Sequence, residues 1–352
     1  MAGSACRMGV LTRKERVLGA FRREAVDRLP AQCNYTAAMG AKLAAHFQIP
    51  VEKLPQRLDN HLVRVDLRRE RRLSEDGRIT FDWWGAGWST ETEGYWHTFS
   101  PLAQSEDLER FRWPDPHAPG LMDDAQRTVV ELGGGYFVAP NLGMCLFERA
   151  WSLRGFDRLL LDFTDQPKWV EELLERITGI QVALIRRYIE AGVHGGYFGD
   201  DYGAQRSMLF SPRLWRRMFK PCLARMFAPF REAGLPVILH SDGDIRAILP
   251  DLVEIGVTVL NPVQPEVLEH AWLQREYGDR LAFYGGVSTQ GVLPSGTQEE
   301  VKAAVAECMR ALAPHGTGLM IGPSHRMQTD IPGANVAAML GAFPKEAGGG
   351  IQ

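Results

Sequence analysis

From Tyr136 onward the chain repeats one pattern. Short apolar runs (YFVAP, GGYFGDD, LPVILHSD, VTVLNP, LAFYGGV, GLMIGPSH) alternate with stretches of helical periodicity at about 166–191, 212–233, 245–255, 297–313 and 332–342. Runs too short to be helices, separated by helices, describe strand-helix-strand units, and successive units of that kind build a parallel sheet. A first strand near 31–35 and another near 78–84 bring the strands to eight. That count favours a (β/α)8 TIM barrel of the α/β class over an open sheet. No GxGxxG or Walker A sequence follows any of these strands, so a dinucleotide or NTP cradle is not expected.

Before Tyr136 the sequence is less regular. Residues 12–24 (TRKERVLGAFRRE) place Val17, Leu18 and Phe21 on one helical face, with Thr12 as N-cap and Glu15 three residues on. Around Asp76-Gly77 the chain suggests a hairpin, and PLAQSEDLERFRWPDP a short helix stopped by prolines. Trp83, Trp84, Trp88 and Trp96 fall in this region, either as a lid packed by large aromatics or as the wall of a substrate pocket. Residues 1–345 are expected to form one barrel domain with N-terminal helical and lid insertions, and 346–352 (EAGGGIQ) a disordered tail.

The apolar share of 45% and charged share of 24% belong to an ordinary globular chain. A net charge of -3 gives no electrostatic reason to expect nucleic acid or an anionic membrane as partner. Cys6, Cys33, Cys145, Cys222 and Cys308 are scattered without a CxxC pair, a poor disulfide framework that suits a reducing cytoplasm. Neither a signal-peptide core nor a run of 18 uncharged apolar residues is present, so secretion and membrane spanning are not expected.

Every apolar run ends in polar residues, and in a (β/α)8 barrel the strand C-termini meet at one mouth. The candidates, in chain order, are Asn34 and Tyr35; Asn141 with Glu148 and Arg149; Tyr197, Asp200 and Asp201; His240 and Asp242; Asn261 and Gln264; Gln290; His325 and Gln328. His240, Asp242 and His325 are the best metal triplet, since imidazole and carboxylate suit a divalent ion of zinc type. The plainer alternative makes both histidines hydrogen-bonded loop residues. Asp200 or Asp201 could serve as base or additional ligand, because adjacent carboxylates separate each other's pKa values; equally, one could cap a helix or turn. Asn261 and Gln264 could orient a polar substrate or only bond the backbone of a proline turn.

Several segments, taken together, resemble the uroporphyrinogen decarboxylase-like superfamily: ERVLGAFRREAVDRLP, GGYFGDDYGAQRSMLFSPRLWRRMFKP, LHSDGDIRAILPDLVEIGVTVLNPVQP, FYGGVSTQGVLPSGTQEEV and PSHRMQTDIPGANVAAM. The likeness implies a (β/α)8 barrel and a cytoplasmic enzyme. The superfamily holds the heme-pathway decarboxylase and a group of cobalamin-linked methyltransferases and demethylases that carry zinc through a His-x-Cys motif and a distant cysteine. The resemblance maps these positions to His240, Asp242 and His325, with both thiolates replaced. Such a set makes a harder Lewis acid, better suited to oxygen than to thiolate.

The resemblance therefore implies a methyl-transferring or demethylating enzyme acting on a small oxygen-bearing substrate. Tyr197 would be a proton donor, Asn261, Gln264 and Gln290 would orient the substrate, and a corrinoid carried by a partner protein would be the methyl acceptor. A tetrapyrrole decarboxylase and a non-catalytic ligand-binding barrel are the alternatives. Against the first stands QCNYTAAMGAKL, which lacks the arginine forks that many carboxylates require.

Overall fold

The structure, a computed structural model, describes residues 9–69, 72–94, 96–104 and 107–345. The expected tail at 346–352, and Cys6, lie outside these residues. The strands in chain order are β1 (Leu62–Val65), β2 (Arg72–Leu73), β3 (Ile79–Phe81), β4 (Gly87–Ser89), β5 (His97–Phe99), β6 (Phe137–Gly143), β7 (Gly196–Gly199), β8 (Val237–His240), β9 (Val259–Asn261), β10 (Ala282–Val287) and β11 (Leu319–Pro323). A seven-stranded sheet runs in the order β1-β6-β7-β8-β9-β10-β11, and β2 to β5 form a separate four-stranded sheet. Sequential order in a parallel sheet, with a helix in most crossovers, is the signature of the (β/α)8 class.

The chain divides into two compact units, one of Met1–Val63, Leu132–Phe137 and Thr258–Gln352, the other of Arg64–Glu131 and Val138–Val257. In the first, β9, β10 and β11 pair in parallel, with Phe283 opposite both Leu260 and Leu319. The eighth strand position is taken by the segment near Ala31, which bridges in parallel to Asn60 on one side and Ile321 on the other. Backbone bonds from Gln32 N to Ile321 O and from His61 N to Ala31 O hold it there. The N-terminal helix Arg13–Arg22 starts with the expected capping box between Thr12 and Glu15.

In the second unit β6, β7 and β8 pair in parallel, Asn141 opposite Tyr197 and Gly199 opposite His240. A single long helix, Pro167–Glu190, occupies the region expected at 166–191. The helical region expected at 212–233 is two helices, Pro212–Met218 and Lys220–Glu232. Pro221 has no N–H to give to the preceding turn, so the first helix stops and a new one begins with this proline in its first turn.

Two expectations for the N-terminal half need correction. Residues 78–84 do not supply a barrel strand: Ile79–Phe81 pairs antiparallel with both β2 and β4, and the barrel strand is Leu62–Val65. The Asp76-Gly77 turn, with Gly77 at φ 72°, commits β3 to its hairpin. The described residues of 101–116 form turns rather than a helix; Asp107 instead caps the backbone of Glu109 and Arg110. The tryptophans of this region pack edge to face, Trp83 on Trp84, Trp84 on Trp113 and Trp88 on Trp151. Trp84 and Trp88 are buried and Trp96 is exposed. Cys33, Cys145, Cys222 and Cys308 are buried free thiols. No described helix is long and apolar enough to cross a membrane.

Candidate metal centre

Parallel register brings the loops after β6, β7 and β8 side by side. Cys145 N–H donates to Gly199 O at 2.9 Å and Asp200 N–H to His240 O at 3.0 Å, so each loop leaves its strand at the same level. Asp200 and Asp201 directly follow β7; His240 is the last residue of β8, with Ser241 and Asp242 directly after it. His240 Nε2 stands 3.8 Å from Asp242 Oδ1, both side chains partly exposed. The two form a pair that can offer an imidazole nitrogen and a carboxylate oxygen to a divalent ion.

Asp200 is fully buried. Its carboxylate accepts the N–H groups of Phe147 and Glu148, each at 2.8 Å, and the Tyr202 hydroxyl. It thus satisfies two orphan donors in the first turn of the helix Phe147–Arg154, from another strand end. Burial nonetheless raises its pKa to about 6, outweighing those bonds. Asp201 accepts the Asp242 N–H at 2.8 Å. Glu148 is held well above the usual carboxylate range by burial first, then by the charges of Asp201 and Asp200.

Around this cluster, Tyr197 is buried with its ring 6.4 Å from that of His240, and the guanidinium of Arg64 lies 4.9 Å over it. Asn141 donates to Asp66 at 2.9 Å. Arg149 is buried, bonded to Asp82 at 2.5 Å and stacked 5.2 Å over Trp84, so its charge is paired at the turn between β3 and β4. The sequence reading did not single out Arg64, Asp66 or Asp82. A charged residue inside the LVRV strand is the signal that could have found the first.

The remaining candidates belong to the other unit. Asn34 donates to the Tyr284 hydroxyl at 2.8 Å, and Asn261 to the Tyr284 carbonyl at 2.9 Å. Gln264 donates to Gln290 at 3.2 Å. Ser288 donates to Glu266 and accepts Gly291 N–H, so it shapes the loop after β10. Tyr35 pairs with Met327 beyond β11, where His325 and Gln328 are exposed. Tyr284 gathers two of the predicted carboxamides and was missed, because a tyrosine inside an apolar FYGGV run reads as core.

A parallel α/β barrel sheet with imidazole and carboxylates at its strand ends defines the class: a (β/α)8 protein with a candidate metal site. The family follows from comparison. The family model described as Uroporphyrinogen decarboxylase (URO-D) matches residues 88–345, and the chain belongs to that family. The uroporphyrinogen decarboxylase of Thermus thermophilus is 26% identical over 251 residues, 67% of this chain and 68% of that protein. The solved structure of a methyltransferase from Methanosarcina mazei superposes with a TM-score of 0.73 at 18% identity, covering 94% of this chain and 98% of that one. At that identity the likeness shows the fold.

Proposed function

We propose that the protein is a metal-dependent enzyme of methyltransferase or demethylase type that acts on a small oxygen-bearing substrate, with His240, Asp242 and His325 as ligands of a zinc-type ion. The observation that carries this reading is that His240 Nε2 stands 3.8 Å from Asp242 Oδ1 at the end of β8; His325 is carried into the set by the resemblance. Two imidazoles and one carboxylate are a donor set that fits zinc with a position left for water or substrate. When bound, the metal would supply Lewis acidity toward a substrate oxygen.

The chain's own residues would do the rest. Tyr197, buried beside His240, is the proton donor of this reading. Asn34, Asn261, Gln264 and Gln290 offer donors and acceptors without charge, suited to a neutral polar substrate. Asn141, Glu148 and Gln328 remain candidates for substrate contact, as does Tyr35. Arg149, paired with Asp82, is a further candidate. A corrinoid on a partner protein would be the methyl acceptor.

The second reading, a tetrapyrrole decarboxylase, is favoured by the family and by the name of the Thermus relative. It requires cations for many carboxylates. The one cation in residues 32–43, Lys42, is engaged by the carbonyls of Thr329 at 2.8 Å and Ile331 at 3.0 Å. Zn2+ titration of chelator-treated protein separates the readings. We expect one ion per chain, lost in His240→Ala and in His325→Ala. Equal binding by both variants, or turnover of a porphyrinogen by metal-free protein, would overturn the metal reading.

A further inference from the structure

The two adjacent aspartates after β7 accept from different partners, and the loop they belong to is fastened along its length to the loop that carries Asp242. Hydrogen bonds run from residues 200–204 to residues 240–244 along both loops. Asp200 N–H donates to His240 O at 3.0 Å and Asp244 N–H to Ala204 O at 2.8 Å. Tyr202 N–H donates to the Ser241 hydroxyl at 3.2 Å. Asp242 N–H donates to the Asp201 carboxylate at 2.8 Å. Three of these rungs join backbone or a buried serine; the one at Asp242 ends on a side-chain carboxylate beside the ligand itself.

Two glycines make this fastening sterically available. A Cβ on Gly203 would lie 2.5 Å from Asp244 N and 2.7 Å from Asp242 O, and one on Gly243 only 2.4 Å from Gly203 C. Gly243 is also at φ 78°, in the left-handed region. The backbones therefore touch with no side chain between them. On its other side the same block is anchored by Asp200, whose carboxylate holds the start of the helix Phe147–Arg154. Side chains that orient a metal ligand without touching the metal typically carry a large share of its affinity.

We infer that Asp201 is a positioning residue: through the Asp242 N–H, and with the Gly203–Gly243 contact, it fixes the loop that presents Asp242 next to His240. This rests on the metal reading above, and the test keeps the two apart. Zn2+ affinity is measured by calorimetry, and hydrogen exchange of the segment around Asp242 is measured in the metal-free protein. Asp201→Ala is expected to weaken Zn2+ roughly 10-fold or more and to speed exchange at Asp242. Asp201→Asn, which keeps an acceptor oxygen, should stay within about threefold of the parent affinity, since only the hydrogen bond is asked for. Gly203→Ala should act in the same direction as Asp201→Ala without altering any carboxylate.

Parent-like affinity and exchange in Asp201→Ala would overturn the inference. So would an equal loss in Asp201→Asn, which would assign the effect to charge rather than to the hydrogen bond. If the parent protein takes up no Zn2+, the metal reading fails and takes the ligand-holding role with it. Unchanged exchange in Asp201→Ala would, by itself, remove the tether.

Discussion

At the scale of single residues, His61 shows how burial is converted into pH dependence. It is fully buried, its Nδ1 lies 2.7 Å from the Asp59 carbonyl, and burial lowers its pKa to about 4. An unfolded histidine titrates near 6.5. Below that pH the unfolded chain takes up a proton that the folded protein refuses, so the stabilising difference is present above 6.5 and is lost as pH falls toward 4. Between pH 7.5 and 5.5 this amounts to about 1 kcal/mol. His61→Asn should remove that part of the slope when urea midpoints at the two pH values are compared with those of the parent. An identical slope in both proteins would show that His61 is not the group responsible. Asp200 and Glu148, whose raised values act in the opposite sense, are common to both proteins and cancel in the difference.

The same scale shows what could be read from the sequence. His240, Asp242, Asp200 and Asp201 were visible because each follows an apolar run, and strand ends are where a barrel exposes polar groups. The direction each side chain takes was not visible. That Asp200 turns toward residues 147 and 148 and Asp201 toward residue 242 depends on which strands lie on either side of β7, a long-range property no local pattern carries. The bond from Arg149 to Asp82 was not visible for the same reason: the two lie 67 positions apart.

At the scale of elements, the helix Phe147–Arg154 begins without a side-chain cap of its own. The Asp200 carboxylate takes that place, so Asp200→Ala leaves two helix donors and the buried Tyr202 hydroxyl without their acceptor. We expect a loss of about 2–4 kcal/mol in urea unfolding, against about 1 for Asp200→Asn, which keeps one acceptor. A midpoint unchanged in Asp200→Ala would refute the cap. By contrast the cap of the helix Arg13–Arg22 was legible, because the Thr12 and Glu15 spacing is local. Removing it with Thr12→Ala should cost about 1 kcal/mol. The barrel strand Leu62–Val65 was missed because it is four residues long and contains Arg64. That charge is tolerated where it stacks on Tyr197.

At the scale of the whole molecule, the alternation of strands and helices was enough to give the (β/α)8 class, since eight parallel pairings leave few other arrangements. It was not enough to say which segments make the eight. The stretch near Ala31 contributes through isolated bridges rather than a regular strand, while the better-looking strand at 79–81 belongs to the separate four-stranded sheet. A ligand that binds only the folded chain must also stabilise it. Zn2+ at about 100 times its Kd should therefore raise unfolding stability by about 3 kcal/mol, and should do so in neither His240→Ala nor His325→Ala. The same shift in the variants would place the ion elsewhere.

The most direct measurement is anomalous diffraction at the zinc edge from crystals grown with Zn2+. The account predicts one peak per chain, within about 2.0–2.2 Å of an imidazole nitrogen of both His240 and His325 and of an Asp242 carboxylate oxygen. No peak at His240, or a peak that omits Asp242 and His325, would contradict it.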